Sequence, residues 1–393
     1  MHITKRTIIP KTYYYTAFVF IICLFLNGCS NNIETFITEN QTFSNGAIPM
    51  QNTDNILQNI GQNPQENIPE KQDTIISLNE NILLLENGFS AVQYKGDYGF
   101  NDFLLEGGAS TDADVVKFLS SYLFSGINLA FTEPTFGCST IAIEGANNEF
   151  LFGRNFDWQA CEAMVVLTQP ENGYASLSTV NLDFINVKGS KLLEIDQARI
   201  LAAIYAPLDG MNEMGLAVSV NMIQDSATIS QNTEKPDITT TTAIRLLLDK
   251  AANVDEALLL LQQYDLHASM GMMVHFALAD KQGRSVAVEY IDNSMVVIET
   301  PILTNFYLAE GEKQGIGTAQ SHERYQILTH ALGQKEPITM ETIRDILDSV
   351  SKDNFNEFES TEWSIVFNLN SRIAHYYHQE DYSKAYTFSL SLP

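Results

Sequence analysis

The chain has 393 residues, with 22 Lys and Arg against 48 Asp and Glu, a formal charge of -26. A field of that sign repels phosphate backbones, so nucleic acid is not an expected partner, and acidity of this kind says nothing about fold. With 45% hydrophobic and 18% charged residues the chain can bury a sizeable core, which excludes global disorder, and four cysteines are too few for a disulfide-stapled scaffold.

The chain opens with Lys5, Arg6 and Lys11, and an apolar run from Thr16 to Leu26 leads into Asn27-Gly28-Cys29. This is the layout of a targeting signal, and the run is shorter than the roughly 20 residues that a spanning helix needs. Leu26-Asn27-Gly28-Cys29 resembles the bacterial lipobox. That implies a signal peptide over residues 1–28 and a lipid on Cys29, hence an extracytoplasmic, membrane-anchored lipoprotein; an ordinary secretory signal is the alternative. Residues 29–74, rich in Asn, Gln, Thr and Glu, read as a polar flexible tether.

From about Ile75 the composition turns globular. Helical spacing after Ser110-Thr111-Asp112 predicts a helix from Ala113 to Phe124. Strands are predicted at 138–144 and 149–155, joined as a hairpin through Gly145-Ala146-Asn147-Asn148. Further strands are predicted at 163–167, 216–221, 274–279, 285–290, 295–299 and 304–308, and helices at 242–252, 254–264, 323–332 and 340–350. Three strands close the chain at 363–368, 373–377 and 385–390. Strand groups separated by helix pairs predict an α+β fold of two sheets between helices.

The seven histidines form no HExxH or other tight ligand pair, so neither a metal nor any cofactor is implied. With Cys23 in the signal and Cys29 lipidated, Cys138 and Cys161 remain in the folded part. They read as a disulfide, as buried small hydrophobes or, for Cys138, as a nucleophile. If the hairpin forms, Arg154 and Asp157 of Gly153-Arg154-Asn155-Phe156-Asp157-Trp158 return beside Cys138. A guanidinium near a thiol favours the thiolate. A carboxylate can hold an amine, which matters only if Cys138 becomes an N-terminus. Its α-amine, with a reference pKa of about 7.7 to 8.0, then serves as base for its own thiol. A structural ion pair at a strand end is the other reading of Arg154 and Asp157.

Gly137-Cys138-Ser139-Thr140 followed by Gly153 to Trp158 resembles the N-terminal-nucleophile amide hydrolases: choloylglycine hydrolases, penicillin V acylases, acid ceramidase, N-acylethanolamine acid amidase and isopenicillin N acyltransferase. Asp209-Gly-Met-Asn-Glu-Met-Gly-Leu216, with Asn221 five residues after Leu216, resembles their strand-turn-strand. Val274 to Glu289, then Leu303-Thr304-Asn305, resembles their central strands and second active-site Asn; Ser321-His322-Glu323-Arg324 resembles the helix start bearing their second Arg. The resemblance implies a four-layer αββα sandwich of two antiparallel sheets between helix layers. In it Cys138 is the thiol nucleophile, Arg154 and Asp157 hold and tune it, Asn221 and Asn305 form the oxyanion hole, and Arg324 orients polar neighbours. His275 is then an interior residue, not a base, and Phe156 and Trp158 are core.

To free Cys138, the resemblance implies autoproteolysis at Gly137-Cys138, which makes 75–137 a propiece with a helix and 138–393 the catalytic domain. Gly at 137 suits a strained backbone of close approach. The expected activity is hydrolysis of a small-molecule N-acyl amide that is not a peptide, through an acyl-thioester. An acyltransferase, an uncleaved ligand-binding lipoprotein and a papain-like Cys/His enzyme are the alternatives.

Overall fold

The computed structural model describes residues 74–123, 137–185, 197–333, 337–353 and 359–390. The signal peptide, Cys29 and all of the tether but residue 74 lie outside the described residues. The chain divides into two units, Met1–Glu70 and Lys71–Pro393, and the described residues belong to the second.

In chain order that unit begins with β1 (Leu83–Glu86), β2 (Phe89–Lys95), α1 (Phe100–Leu105) and α2 (Asp112–Leu123). The hairpin of β3 (Gly137–Glu144) and β4 (Phe150–Trp158) follows, then β5 (Ala163–Gln169), β6 (Ser176–Asn181) and α3 (Gln197–Ile204). Next come β7 (Asp209–Asn212), β8 (Leu216–Met222), β9 (Asp237–Thr239), α4 (Thr240–Lys250), α5 (Val254–Leu261) and β10 (Asp265–His267). The last part holds β11 (Val274–Asp280), β12 (Ser285–Ile291), β13 (Ser294–Glu299), β14 (Ile302–Leu303), α6 (Ala319–Leu332), α7 (Met340–Asp348), β15 (Ser360–Asn368), β16 (Ile373–His378) and β17 (Tyr386–Ser389).

Two large sheets result: nine strands ordered β1-β2-β5-β6-β7-β8-β11-β12-β13, and six strands ordered β14-β3-β4-β15-β16-β17. All pairs in them are antiparallel except β2 with β5. One core lies between the sheets, joining Phe152, Phe156 and Phe367 of the six-stranded sheet to Val165, Met211 and Ala277 of the other. A second core packs Ile141, Leu151 and Val366 on the opposite face of the six-stranded sheet against Leu328 of α6 and Ile343 and Leu347 of α7. On the far side of the nine-stranded sheet α4 lies on β7 and β8 and α5 on β11. The layer order is helices, sheet, sheet, helices. With both faces covered, all nine residues of β15 are buried, among them the polar Thr361, Glu362 and Ser364.

Local chemistry starts the helices where the sequence allows. Thr239 and Thr339 each cap their helix in a reciprocal arrangement with Thr242 and Thr342, and Thr318 caps α6 through the Ser321 N–H. Asn147 and Asn148 turn the β3–β4 hairpin at φ 61° and 59°, a left-handed conformation that Asn tolerates.

Two features differ from the sequence reading. No strand forms over the predicted 304–308; β14 ends at Leu303, because the following amides are drawn to side chains: Asn305 N–H to Ser321 Oγ, and Leu308 and Ala309 N–H to Glu289. Short or polar elements escaped the pattern altogether, among them β1, β2, β6, β7 and α3. β2 matters most, since it pairs in parallel with β5 along its whole length. The segment before Gly137 therefore contributes to the same sheet as the segment after it.

Candidate active site

The site is built on the first residues of β3 and the last residues of β4, where Gly137 faces Asp157, Cys138 faces Phe156 and Thr140 faces Arg154 across an antiparallel ladder. The two-residue repeat of a strand divides these side chains between two faces. Cys138, Thr140, Arg154 and Phe156 look into the space between the sheets. Gly137, Ser139 and Asp157 look toward α6 and the segment that leads into β15.

On the inner face Arg154 is fully buried. Its Nη1 donates to Asp209 Oδ2 at 2.8 Å and to the Leu208 carbonyl, and its Nη2 donates to Val220 O at 2.8 Å. The same Nη2 stands 3.8 Å from Cys138 Sγ. Trp363 Nε1 also donates to Asp209 Oδ2, at 3.0 Å. Burial nevertheless pushes the Cys138 thiol above its ordinary range; the Arg154 charge works against this and Asp157 adds to it. The expected thiolate-favouring effect of Arg154 is thus present but outweighed by desolvation. Cys138 and Cys161 are not joined in a disulfide.

On the outer face the main-chain groups of Cys138 are clamped. Its N–H donates to Asn305 Oδ1 at 2.7 Å, and its carbonyl accepts from Arg324 Nη1 at 2.9 Å. Arg324 also donates to Ser139 Oγ at 2.5 Å, to Asp157 Oδ2 at 3.1 Å and, through Nη2, to Asn305 Oδ1 at 2.7 Å. Asp157 Oδ1 accepts from Thr361 Oγ1 at 2.8 Å. Lys352 Nζ lies 3.8 Å from Asp157 Oδ2 and forms an ion pair with Glu359. Gly137 has no left-handed φ; the need for glycine is close approach alone, since a Cβ there would stand 2.2 Å from Lys352 Nζ.

Asn221 and Asn305 approach from the other sheet and from the loop after β14. Asn221 Oδ1 accepts from Thr140 Oγ1 at 3.3 Å, and its Nδ2 donates to Leu303 O at 3.2 Å and Thr304 O at 3.4 Å. Asn305 Nδ2 donates to Met222 O at 2.7 Å. Both amide nitrogens are therefore engaged with backbone carbonyls in this state. His275 is fully buried between Glu289 Oε1 at 3.0 Å and Thr304 O at 2.8 Å, so both its ring nitrogens are engaged. Phe156 stacks on Trp363 with ring centroids 3.9 Å apart and Trp158 packs edge-on to Phe184, so both are core residues.

The sequence model of the acyl-coenzyme A:6-aminopenicillanic acid acyl-transferase family matches residues 143–382, more than half of the chain. The chain belongs to this family. The match takes in every site residue named above from Arg154 onward and begins just after Gly137 and Cys138. Among solved structures, a point mutant of the conjugated bile acid hydrolase from Clostridium perfringens is similar at 17% identity and a TM-score of 0.50, over 64% of this chain and 92% of that one. Another variant of that hydrolase gives 16% identity and a TM-score of 0.48, over 64% and 92%. Penicillin V acylase from Agrobacterium tumefaciens gives 17% and 0.43, over 61% and 83%. No curated protein matches the chain. The resemblance to N-terminal-nucleophile amide hydrolases and the α+β sandwich read from the sequence hold in this acyl-transferase family member.

All six residues expected at the site, Cys138, Arg154, Asp157, Asn221, Asn305 and Arg324, converge in this family member. Asp209, Ser321, Lys352, Glu359 and Thr361 were not anticipated. Asp209 had a signal, as the first residue of Asp-Gly-Met-Asn, and Ser321 opens Ser-His-Glu-Arg. Lys352 and Glu359 had none: they lie in a polar stretch between α7 and β15 and reach the site only through the pairing of β15 with β4.

Proposed function

We propose that this chain is an amidohydrolase for small N-acyl amides, with Cys138 as an N-terminal nucleophile made by self-cleavage of the Gly137-Cys138 bond. The reading rests on one observation: residue 138 is held at its nitrogen by Asn305, at its carbonyl by Arg324 and at its sulfur by proximity to Arg154. A residue clamped at all three points is preorganised to work as a chain terminus.

Once freed, the α-amine takes the thiol proton and the thiolate attacks the acyl carbonyl. The tetrahedral intermediate expels the amine, which leaves with that proton, and water releases the acyl group from the thioester. Asn221 and Asn305 serve the oxyanion by exchanging their carbonyl partners for it; a donor of this kind contributes about 2.7 to 4 kcal/mol. Arg324 near the terminus disfavours an ammonium there, and the Asp157 carboxylate holds the amine in place. The targeting signal and Cys29 support an extracytoplasmic enzyme whose lipid sits on the propiece. The pairing of β2 with β5 supports two pieces that stay together after cleavage.

Intact mass and N-terminal sequencing of the purified protein test the reading, together with an amide substrate screen. Two fragments, one beginning at Cys138, and turnover that C138A lacks are the expected outcome. An uncut chain that binds amides without turning them over fits a ligand-binding lipoprotein instead. The family's name favours a second reading, in which an amine replaces water as acceptor; amide products formed when amines are added would identify an acyltransferase.

A further inference from the structure

Before the Gly137-Cys138 bond breaks, residue 138 has no α-amine. Its nitrogen is an amide donating to Asn305 Oδ1. The base that serves turnover is thus missing when self-cleavage begins, and the first thiol proton needs another acceptor. Arg154 and Arg324 stay protonated, His275 is engaged by Glu289 and Thr304, both Asp157 oxygens already accept hydrogen bonds, Asp209 is bound to Arg154 and Trp363, and Glu359 is paired with Lys352 itself.

Lys352 is the remaining candidate. It is 5% exposed, and its Nζ occupies the space where a side chain on Gly137 would stand, 2.2 Å from the position of that Cβ. A primary amine so deeply buried is costly, and hydrolysis by a finished N-terminus gives it no task. We propose that Lys352 is the proton carrier of self-cleavage, an inference that rests on the self-processing reading above.

Through one water molecule at the start of β3, neutral Lys352 Nζ takes the proton of Cys138 Sγ, and the thiolate forms a bond to the Gly137 carbonyl carbon. The intermediate collapses by breaking the bond from that carbon to the Cys138 nitrogen, which receives the proton back from Lys352 and becomes the α-amine. Water then attacks the thioester, the carbon–sulfur bond breaks, sulfur regains a proton and Gly137 ends as a carboxylate. The sum is one peptide bond and one water consumed, with Lys352 unchanged.

The groups facing Lys352 are Asp157 on β4, Glu359 ahead of β15, Arg324 on α6 and Cys138 on β3. Burial lowers its pKa to about 8 against the pull of Asp157, with Arg324 adding to the lowering. Below that pH the amine is protonated and the cleavage rate falls about tenfold per pH unit; above it the rate levels off.

The test is a time course of self-cleavage of the full chain made by cell-free synthesis, for wild type, K352M, K352R and C138A between pH 6 and 10. The expected result is cleavage by wild type with a plateau above about pH 8, and slowing by about 10²- to 10⁴-fold in both K352M and K352R. K352M cleaving within a few fold of wild type would overturn the inference. So would wild-type-like cleavage by K352R, because a fixed charge would then suffice. If K352M fails to fold, the wild-type profile and K352R still decide: a rate that climbs steadily to pH 10 refutes the proposal. C138A must stay uncut, and a wild type that also stays uncut overturns the self-processing reading as well as this one.

Discussion

On the inner face of the β3–β4 hairpin one guanidinium, Arg154, meets one carboxylate, Asp209; on the outer face Arg324 and Lys352 share Asp157 and Glu359. The inner pair is closed. Both partners are fully buried, and a guanidinium does not give up its proton, so the pair fixes geometry and field beside the thiol. The outer group is open: an amine near its titration range sits among two carboxylates and the guanidinium that holds the Cys138 carbonyl. One face of a single hairpin is suited to holding a nucleophile still and the other to moving a proton past the bond ahead of it.

Substitutions on the two faces should separate these roles. The largest expected effect is from C138A, which removes both self-cleavage and amide turnover while leaving the fold intact, seen as one uncut mass and an unchanged melting transition. R154M comes next. It leaves Asp209 buried without its partner, a change that typically costs about 3–5 kcal/mol in stability. Denaturant unfolding should show that loss, and R154M combined with D209N should lose less than R154M alone. An equal loss in the double variant would show that the pair does not carry the inner face.

D157N should behave in the opposite sense. Arg324 keeps three other acceptors, so the stability loss should be only about 1–3 kcal/mol. Turnover should nevertheless fall more than about tenfold, because the carboxylate that faces the new N-terminus is gone. A D157N protein as unstable as R154M would collapse the distinction between the faces.

The smallest effect lies away from the hairpin. Glu86 of β1 binds His378 Nδ1 at 2.7 Å and Lys384 Nζ at 2.8 Å, tying the segment before Gly137 to the segment after it. Burial alone would raise its pKa, but hydrogen bonds from Lys384, Tyr386 and His378 hold it at about 2, below the ordinary 4.5. A carboxylate depressed on folding stabilises fully above its unfolded pKa and loses that contribution as pH falls through the folded one. E86Q should therefore lower stability by about 0.2–1 kcal/mol near neutral pH, a difference that shrinks below pH 4.5 and vanishes near pH 2 in melting curves.

The sequence carried three residues of each face, Cys138, Arg154 and Asn221 inside and Asp157, Asn305 and Arg324 outside, but neither Asp209 nor the Lys352–Glu359 pair. A hairpin predicted from two β-type runs and an Asn-rich turn already implied that Arg154 and Asp157 return to Cys138, because antiparallel pairing fixes who faces whom. Motif order supplied Asn221, Asn305 and Arg324. The short strands β1 and β7 and the polar-facing β6 gave no usable period, and residues 304–308 read as a strand although their amides bond side chains.

Composition, most of the strand and helix order and the six residues around Cys138 were determined by the sequence itself, since each rests on local pattern or on motifs in order. Tertiary structure alone decided that burial outweighs Arg154 in setting the thiol, that β2 joins the sheet of the segment after Gly137, and that Lys352 and Glu359 stand against Gly137. Those facts depend on which distant segments pack together and on how much water that packing removes, and neither quantity is written in the spacing of residues along one strand.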